Sequence, residues 1–333
     1  MPIAEMPVSR TKITIPALRP EILHRRRLLA LFDDLLDRKL ILVTAPAGYG
    51  KSTLLADFAR QSRLPVCWLS LDGLDKDPQR FCAYLIAALG QRFPKFGKQS
   101  KSALRSLTSF EQDTERLLSI LTNEIDSLID EHFVLIIDDY QFVDTVPPIR
   151  DLFSRFIYLA GENCHVILAS RRLPALPDIT IMVARQQVGG FDLEQLAFRP
   201  DEIRSLFELD YRITLADSTL EELVRQTEGW VTGLHLSASG TPNGVPDLTR
   251  AARSAGVDLA GYFDQQVLAL LSTELRGFLL QTSLLEEFDL ALCNAVLGGG
   301  DWKKLFKTAQ QNNLFVLPVG SDGKWLRYHH LFQ

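Results

Sequence analysis

Val43-Thr-Ala-Pro-Ala-Gly-Tyr-Gly-Lys-Ser-Thr-Leu-Leu55 constrains this chain more than any other stretch of it. It continues an apolar run, Leu40–Thr44, of strand length, and it opens a helical pattern over Ser52–Gln61. At the junction lies Ala45-Pro-Ala-Gly-Tyr-Gly-Lys-Ser52. Gly48 and Gly50 allow the backbone N–H groups of Ala47, Gly48, Tyr49 and Gly50 to turn inward around an anion, a curvature that side chains obstruct. The helix that follows points its positive end at the same spot. This spacing predicts a phosphate-binding loop in which alanine replaces the usual first glycine. Lys51 is expected on the β- and γ-phosphates of a nucleotide, Ser52 on Mg²⁺, and Thr53 near the α-phosphate. The competing reading is a glycine turn between a strand and a helix, which the flanking elements make much the poorer account.

Val134-Leu-Ile-Ile-Asp-Asp-Tyr140 supplies the expected partner. A buried strand ends in two carboxylates at the edge where open α/β sheets bind ligands. Asp138 is expected in the Mg²⁺ shell, through water, and Asp139 as the group that orients or deprotonates an attacking water. A solvated acidic turn is the bland alternative. One strand–helix unit, Val66–Leu89, intervenes between the two motifs, which places the chain in the P-loop class with an added strand, as in AAA+ and related switch ATPases. In that class the end of a strand such as His165–Ser170 carries a γ-phosphate sensor. Arg171 fits that role, its planar guanidinium suiting phosphate; the alternative makes Arg171 and Arg172 ordinary surface charges.

Along the chain, residues 1 to 20 hold four prolines and read as an extended arm, followed by a helix over Arg25–Asp37. Strands are expected at Leu40–Thr44, Val66–Leu71, Phe133–Asp138, His165–Ser170 and Thr180–Ala184. Helices alternate with them at Ser52–Gln61, Pro78–Leu89, Glu111–Asp130 and Ile149–Leu159. Apolar strands alternating with helices imply a parallel sheet covered on both faces. From Pro200 the pattern is helical only, at Asp201–Glu208, Leu215–Gln226 and Val231–Ser239, with a loop or weak boundary over Gly240–Gly256. Near the end, two extended runs flank Gly320-Ser-Asp-Gly323, a hairpin signal, and short helices before a hairpin suggest a winged helix. The expected fold is therefore α/β: a P-loop sheet domain with its arm over 1–199, a helical domain over 200–270 and a winged-helix domain over 271–333.

A length of 333 residues exceeds one ordinary core. A formal charge of −5 offers no electrostatic footprint for nucleic acid. No apolar run is long enough to span a bilayer, and the N-terminus lacks the core of a signal peptide. Cys67, Cys82, Cys164 and Cys293 lie far apart with no CxxC pair and read as reduced core residues of a cytoplasmic protein.

The segments APAGYGKSTLL, CWLSLDGLDKDPQRFCAYLIAAL, VLIIDDY, VILASR, LEQLAFRPDEIRSLF, TEGWVTGLHL and LRYHHLF, in this order, resemble the STAND ATPases. More narrowly they are similar to the MalT-like branch of the large LuxR-type transcriptional activators, from about Thr11 to Gln333. The resemblance implies a nucleotide-binding sheet domain, a helical domain and a winged helix closing over ADP or ATP. It places His329, or else its neighbour His330, on the β-phosphate, since strand alternation sends the two rings to opposite faces. It places Arg25 on the adenine side, and Gly229 where many relatives have Gly-x-Pro near adenine, although the proline is missing here and Gly229 reads equally as a helix cap ahead of a core Trp230. Asp72 and Arg80 follow the family pattern without an assigned chemistry. Family members are much longer, so Gln333 reads either as a domain boundary in a longer protein, the favoured expectation because a family helix continues from that point, or as the end of a short one. The inducer would then act through a sensor domain and DNA through a C-terminal helix-turn-helix, neither within this sequence, with self-association on activation and no membrane partner. A second reading makes the chain an AAA+-like ATPase whose winged helix binds DNA directly, which requires a basic helix and wing. Asp301–Lys307 is mildly basic, but the Gly-Ser-Asp-Gly wing carries an acid. A metabolic P-loop kinase is weaker, because no acceptor pocket is recognisable.

Overall fold

The computed structural model describes residues 7–238, 259–298, 301–320 and 324–332. Two compact units emerge: one of Met1–Arg19, His24–Thr44 and Lys51–Asp192, the other of Pro20–Leu23, Ala45–Gly50 and Leu193–Gln333. Among the described residues no helix is long and apolar enough to cross a membrane.

The first unit contains α1 (Arg26–Leu35), β1 (Leu40–Thr44), α2 (Lys51–Gln61), β2 (Val66–Ser70), α3 (Pro78–Arg92), α4 (Lys98–Arg105), α5 (Phe110–Leu128), β3 (Phe133–Asp138), α6 (Pro147–Leu159), β4 (Cys164–Ser170), α7 (Ile179–Ala184) and β5 (Val188–Phe191). Its five strands form one parallel sheet in the order β2-β3-β4-β1-β5. All of β3 and β4 is buried, as continuous apolar central strands demand. One core joins the strands to α3, α5 and α6 through Leu42, Phe81, Leu121, Phe153 and Leu168. The strand order matters for function, because β4 separates β1 from β3.

Three features of this unit depart from the sequence expectation. The run Thr180–Ala184 is not a strand but part of helix α7. The edge strand is instead Val188–Phe191, whose Gly189-Gly190 looks like a turn in sequence. Gly190 is required there, since a Cβ would stand 2.4 Å from the Leu42 carbonyl oxygen of the neighbouring strand. The arm is also less extended than expected, with a 3₁₀ turn at Arg10–Lys12 and Ile13 buried in the core.

The unanticipated helix α4 has an external cap. Its N-cap is Gly97, at φ 97°, which has no side chain to satisfy the first amides. Glu124 of α5 does so instead, accepting from the N–H groups of Gly97 (3.1 Å), Gln99 (2.9 Å) and Ser100 (2.8 Å) and from the Ser100 hydroxyl (2.5 Å). Burial pushes the Glu124 carboxyl up, yet these bonds outweigh it and leave its pKa below the ordinary value.

The second unit contains α8 (Leu193–Leu196), α9 (Pro200–Tyr211), α10 (Asp217–Thr227), α11 (Val231–Ala238), α12 (Leu259–Gln266), α13 (Thr273–Thr282), α14 (Leu290–Leu297), α15 (Trp302–Gln311), β6 (Val316–Val319) and β7 (Trp325–Tyr328). Ile203, Phe207, Leu220 and Leu234 form a core among α9, α10 and α11. Strands β6 and β7 pair antiparallel, and Phe288 adds one bridge to Leu326, so helices α13 to α15 and the hairpin make a winged helix. The loop expected over Gly240–Gly256, and Ser321 to Gly323 of the hairpin turn, lie outside the described residues.

The Glu124 cap carries a testable consequence. Its folded pKa is depressed, so its contribution is complete above the ordinary glutamate range and is lost as pH falls through the lowered value. Glu124→Gln, which places an amide beside three N–H donors, should cost about 2 kcal/mol at neutral pH. Urea unfolding should show this loss shrinking toward acid pH; an unchanged midpoint would mean that the cap contributes nothing.

Candidate functional site

In the first unit, the expected chemistry gathers at the carboxyl edge of the sheet. Thr44 pairs in register with Ser170, and Ser70 with Asp138, so β1, β4 and β3 end at similar heights. Helix α2 begins at Lys51, with Ser52 and Thr53 in its first turn. Lys51 is buried, and burial is the main cause that brings its pKa down to about 8. Asp139 and Asp138 oppose this lowering, and Arg171 adds to it. Asp138 is buried at the end of β3, with its pKa pushed up to about 6, first by burial and then by Asp139. A hydrogen bond from Ser52 and the charge of Lys51 hold it back. Residues far apart in the chain thus share one electrostatic neighbourhood: Lys51 and Ser52 with Asp138, Asp139 and Arg171.

Asp139 adopts a left-handed backbone (φ 60°), and its N–H donates to Asp138 Oδ1 at 3.0 Å. Gln141, which sequence reading passed over, ties the two edges together. Its Nε2 donates to Asp139 Oδ1 (2.7 Å), and its Oε1 accepts from the Arg171 N–H (3.0 Å). No pattern in sequence marks such a glutamine. Arg172 turns instead to Asp144, with Nε 3.2 Å from Oδ2, which separates the two arginines of the strand end.

These residues fit a magnesium nucleotide. Mg²⁺ is held by one or two carboxylates together with substrate phosphates, and the Ser52 hydroxyl already touches Asp138. Among the described residues no cluster of three or more His, Cys, Asp or Glu offers a rival metal site.

In the second unit, Ala45–Gly50 continues the chain between Thr44 and Lys51. Gly48 (φ 79°) and Gly50 (φ 76°) take the left-handed conformation that the loop demands. The loop's outward carbonyls are bound by one motif. Trp230 Nε1 donates to the Ala47 carbonyl at 3.0 Å, and the Thr232 N–H (3.2 Å) and hydroxyl (3.1 Å) donate to the Gly48 carbonyl. A Cβ on Gly48 would lie 2.5 Å from Thr232 Oγ1 and 2.6 Å from Trp230 Nε1, so only glycine fits. Sequence reading placed Trp230 in the core and missed this second use of it.

Gly229 (φ 75°) follows the end of α10, and a Cβ there would meet the Phe198 backbone at 2.6 Å, so it serves the chain reversal. His329 is buried, with Nε2 donating to the Thr227 carbonyl (2.9 Å) and Nδ1 accepting from the Leu331 N–H (3.1 Å). Both ring nitrogens are therefore engaged, as in a neutral imidazole. Burial lowers its pKa, with Glu228 opposing. His330 is half exposed, and its N–H donates to Glu228 at 3.3 Å. Glu228 is gripped by Arg327 of β7 in a two-pronged ion pair at 2.8 and 2.5 Å.

The remaining expectations fall elsewhere. Arg25 is buried at the start of α1 in the first unit, and Thr53 is exposed. Asp72 and Arg80 secure the arm: Lys12 bonds both Asp72 and the fully buried Asp75, and Arg80 Nε donates to Asp75 at 3.0 Å.

Comparison with known proteins agrees with this anatomy. Residues 35–172 match an AAA domain and residues 264–333 the MalT winged helix domain. The HTH-type transcriptional regulator MalT of Yersinia pestis is 32% identical over 97% of this chain, which covers 35% of that protein. MalT of Klebsiella pneumoniae is 30% identical, with 97% and 36% covered. The chain therefore spans about a third of the length of these relatives. A Walker-type ATPase of Pyrococcus abyssi superposes with a TM-score of 0.60 at 16% identity, over 95% of this chain and 97% of its own, which shows the shared fold. The chain is MalT-like along nearly its whole length, with an AAA-type P-loop ATPase fold and a winged helix.

One residue of the loop gives a direct check on the geometry. Tyr49 is buried, and its hydroxyl has no hydrogen-bond partner among the described residues. Burial, and then the charge of Glu228, drive its pKa well above the ordinary tyrosine value. Tyr49→Phe removes the unpaired hydroxyl and should stabilise the chain by about 1 kcal/mol in chemical denaturation. A loss of similar size would reveal a partner for the hydroxyl.

Proposed function

We propose that this MalT-like chain is the nucleotide-handling core of a transcriptional activator: a slow, Mg²⁺-dependent ATPase that works as a switch. The observation that carries the reading is the first-unit cluster, in which the Ser52 hydroxyl bonds Asp138 while Lys51, Asp139 and Arg171 lie within electrostatic reach. Buried charges of this density are costly without a ligand to bind, and perturbed groups of this kind gather at functional sites.

Mg²⁺, when bound with the nucleotide, supplies charge that offsets the phosphate oxygens. The protein's own groups do the rest. Amides of Ala47 to Gly50 and the start of α2 receive the β-phosphate, and Lys51 bridges toward the γ-phosphate. Ser52 and Asp138 would hold the cation. Asp139, oriented by Gln141, takes the proton of the attacking water. Arg171 senses the γ-phosphate from the end of β4. Arg25 serves the adenine side, with Thr53 near the α-phosphate. His329 would reach a β-phosphate only by releasing the Thr227 carbonyl, so its role in the ADP form includes bracing the α10 terminus.

In this reading ADP holds the closed form, and ATP with an inducer opens it for self-association. Inducer and DNA engage other parts of the full-length regulator. Moving such a switch from 1:99 to 99:1 requires about 5.5 kcal/mol of discrimination between states, within reach of several polar contacts that depend on the nucleotide.

Lys51→Ala should weaken ADP and ATP binding by at least about tenfold in calorimetric titration, the loss expected for one charged hydrogen-bonding group. Undiminished ADP affinity in that variant would rule out the loop as the phosphate site. The magnesium part carries its own pH signature. Asp138 must be ionised to hold a cation, and its pKa of about 6 places the change just below neutrality. The gain in ATP affinity on adding Mg²⁺ should be full at neutral pH, fall through about pH 6, and be small at every pH in Asp138→Asn. A gain that ignores pH would remove Asp138 from the cation shell.

A further inference from the structure

The second unit holds the phosphate loop by its carbonyls, and this contact assigns a task to the Thr227-Glu-Gly-Trp-Val-Thr232 segment. In a trans peptide the C=O and N–H of one plane point in opposite directions. The Ala47 carbonyl shares its plane with the Gly48 N–H, and the Gly48 carbonyl with the Tyr49 N–H. Trp230 Nε1 anchors the first carbonyl, and the Thr232 N–H and hydroxyl anchor the second. Those three donors thereby aim the N–H groups of Gly48 and Tyr49 away from themselves. Gly48 would otherwise permit either plane to flip, because glycine occupies both signs of φ at little cost.

The donors are themselves held by α12 and the winged helix. Trp230 is fully buried, stacked on Phe263 (5.3 Å between ring centres) and set edge-on against Phe315 (5.3 Å) and His329 (5.9 Å). His329 bonds the Thr227 carbonyl, and Arg327 grips Glu228, two residues before Trp230. Glu228 (φ 46°) and Gly229 (φ 75°) both occupy the left-handed region, so the backbone that delivers Trp230 depends on these outside ties.

We propose that Trp230 and Thr232 are positioning residues that lock the Ala47–Gly48 and Gly48–Tyr49 peptide planes in the anion-binding orientation, and that hairpin β6–β7 and the turn after it control this lock through Arg327 and His329. The proposal rests on the nucleotide-binding reading and adds to it a route by which the winged helix sets phosphate affinity without touching phosphate. It also gives the Gly229-Trp230 segment a role on the phosphate side, where the missing Gly-x-Pro would have pointed to adenine.

The test compares ADP with inorganic pyrophosphate, using the whole chain and a fluorescent ADP as the displaced probe. Trp230→Phe keeps an aromatic ring in the stack and removes only the donor. Thr232→Val keeps its N–H and loses the hydroxyl, and Thr232→Ser restores a hydroxyl. Trp230→Phe and Thr232→Val should each bind ADP and pyrophosphate about threefold to tenfold more weakly, by the same factor for both ligands, the range for one lost neutral hydrogen bond. Thr232→Ser should match the unaltered chain. Arg327→Gln should also weaken both ligands, and most of that effect should vanish in the Trp230→Phe background. Unchanged affinities in both donor variants, or a loss confined to ADP, would overturn the proposal and leave the segment on the adenine side or in the core. An equal effect of Arg327→Gln in both backgrounds would overturn the control by the hairpin. Should Trp230→Phe fail to fold, the Thr232→Val and Thr232→Ser pair decides. Failure of the unaltered, folded chain to bind either ligand would overturn the nucleotide reading itself, and the lock with it.

Discussion

Lys51 is a cation kept from water beside two carboxylates and a guanidinium, and the arrangement of the first unit follows from making that tolerable. A lone buried ammonium would cost several kcal/mol. Asp138 and Asp139 offset part of this, and the strand order, with β4 flanked by β1 and β3, brings the end of β3 within electrostatic reach of Lys51. Burial draws the lysine down to about 8 and pushes the aspartate up to about 6.

In the second unit the same economy is achieved with neutral groups. The carbonyls of Ala47 and Gly48 do not face solvent at random; each is tied to a named donor. Those donors sit on a segment braced at Thr227 by His329, just after β7, and at Glu228 by Arg327 of the hairpin. A polar chain thus runs from the winged helix to the loop through backbone atoms, and it is this chain that would let nucleotide state and hairpin position influence each other reciprocally.

Much of this was legible in the sequence, for physical reasons. A tight turn from strand to helix needs glycine at positive φ, and buried parallel strands need unbroken apolar runs, so Gly48, Gly50, the strand Phe133–Asp138 and the parallel sheet announce themselves. The edge strand β5 did not, because two glycines disguise it as a turn while the apolar run before it folds as helix α7. Helix α4 was hidden because its cap, Glu124, comes from another helix. Gln141, Thr232 and the indole N–H of Trp230 were equally silent, since each acts on a backbone atom distant in sequence or on an ordinary neighbour. Residue types reveal chemistry that side chains perform; they say little about which carbonyl a side chain will hold.

Lys51 and Ser52 at the head of α2 and Asp138 at the end of β3 are proposed to receive the phosphates and the metal ion of a magnesium nucleotide. A crystal structure of the chain grown with ADP and Mg²⁺ tests it most directly. The expected map shows phosphate density beside Lys51 and Ser52, with a metal ion that Ser52 and Asp138 would hold. Density for ADP elsewhere, or a loop closed upon its own side chains in the presence of excess nucleotide, would contradict it.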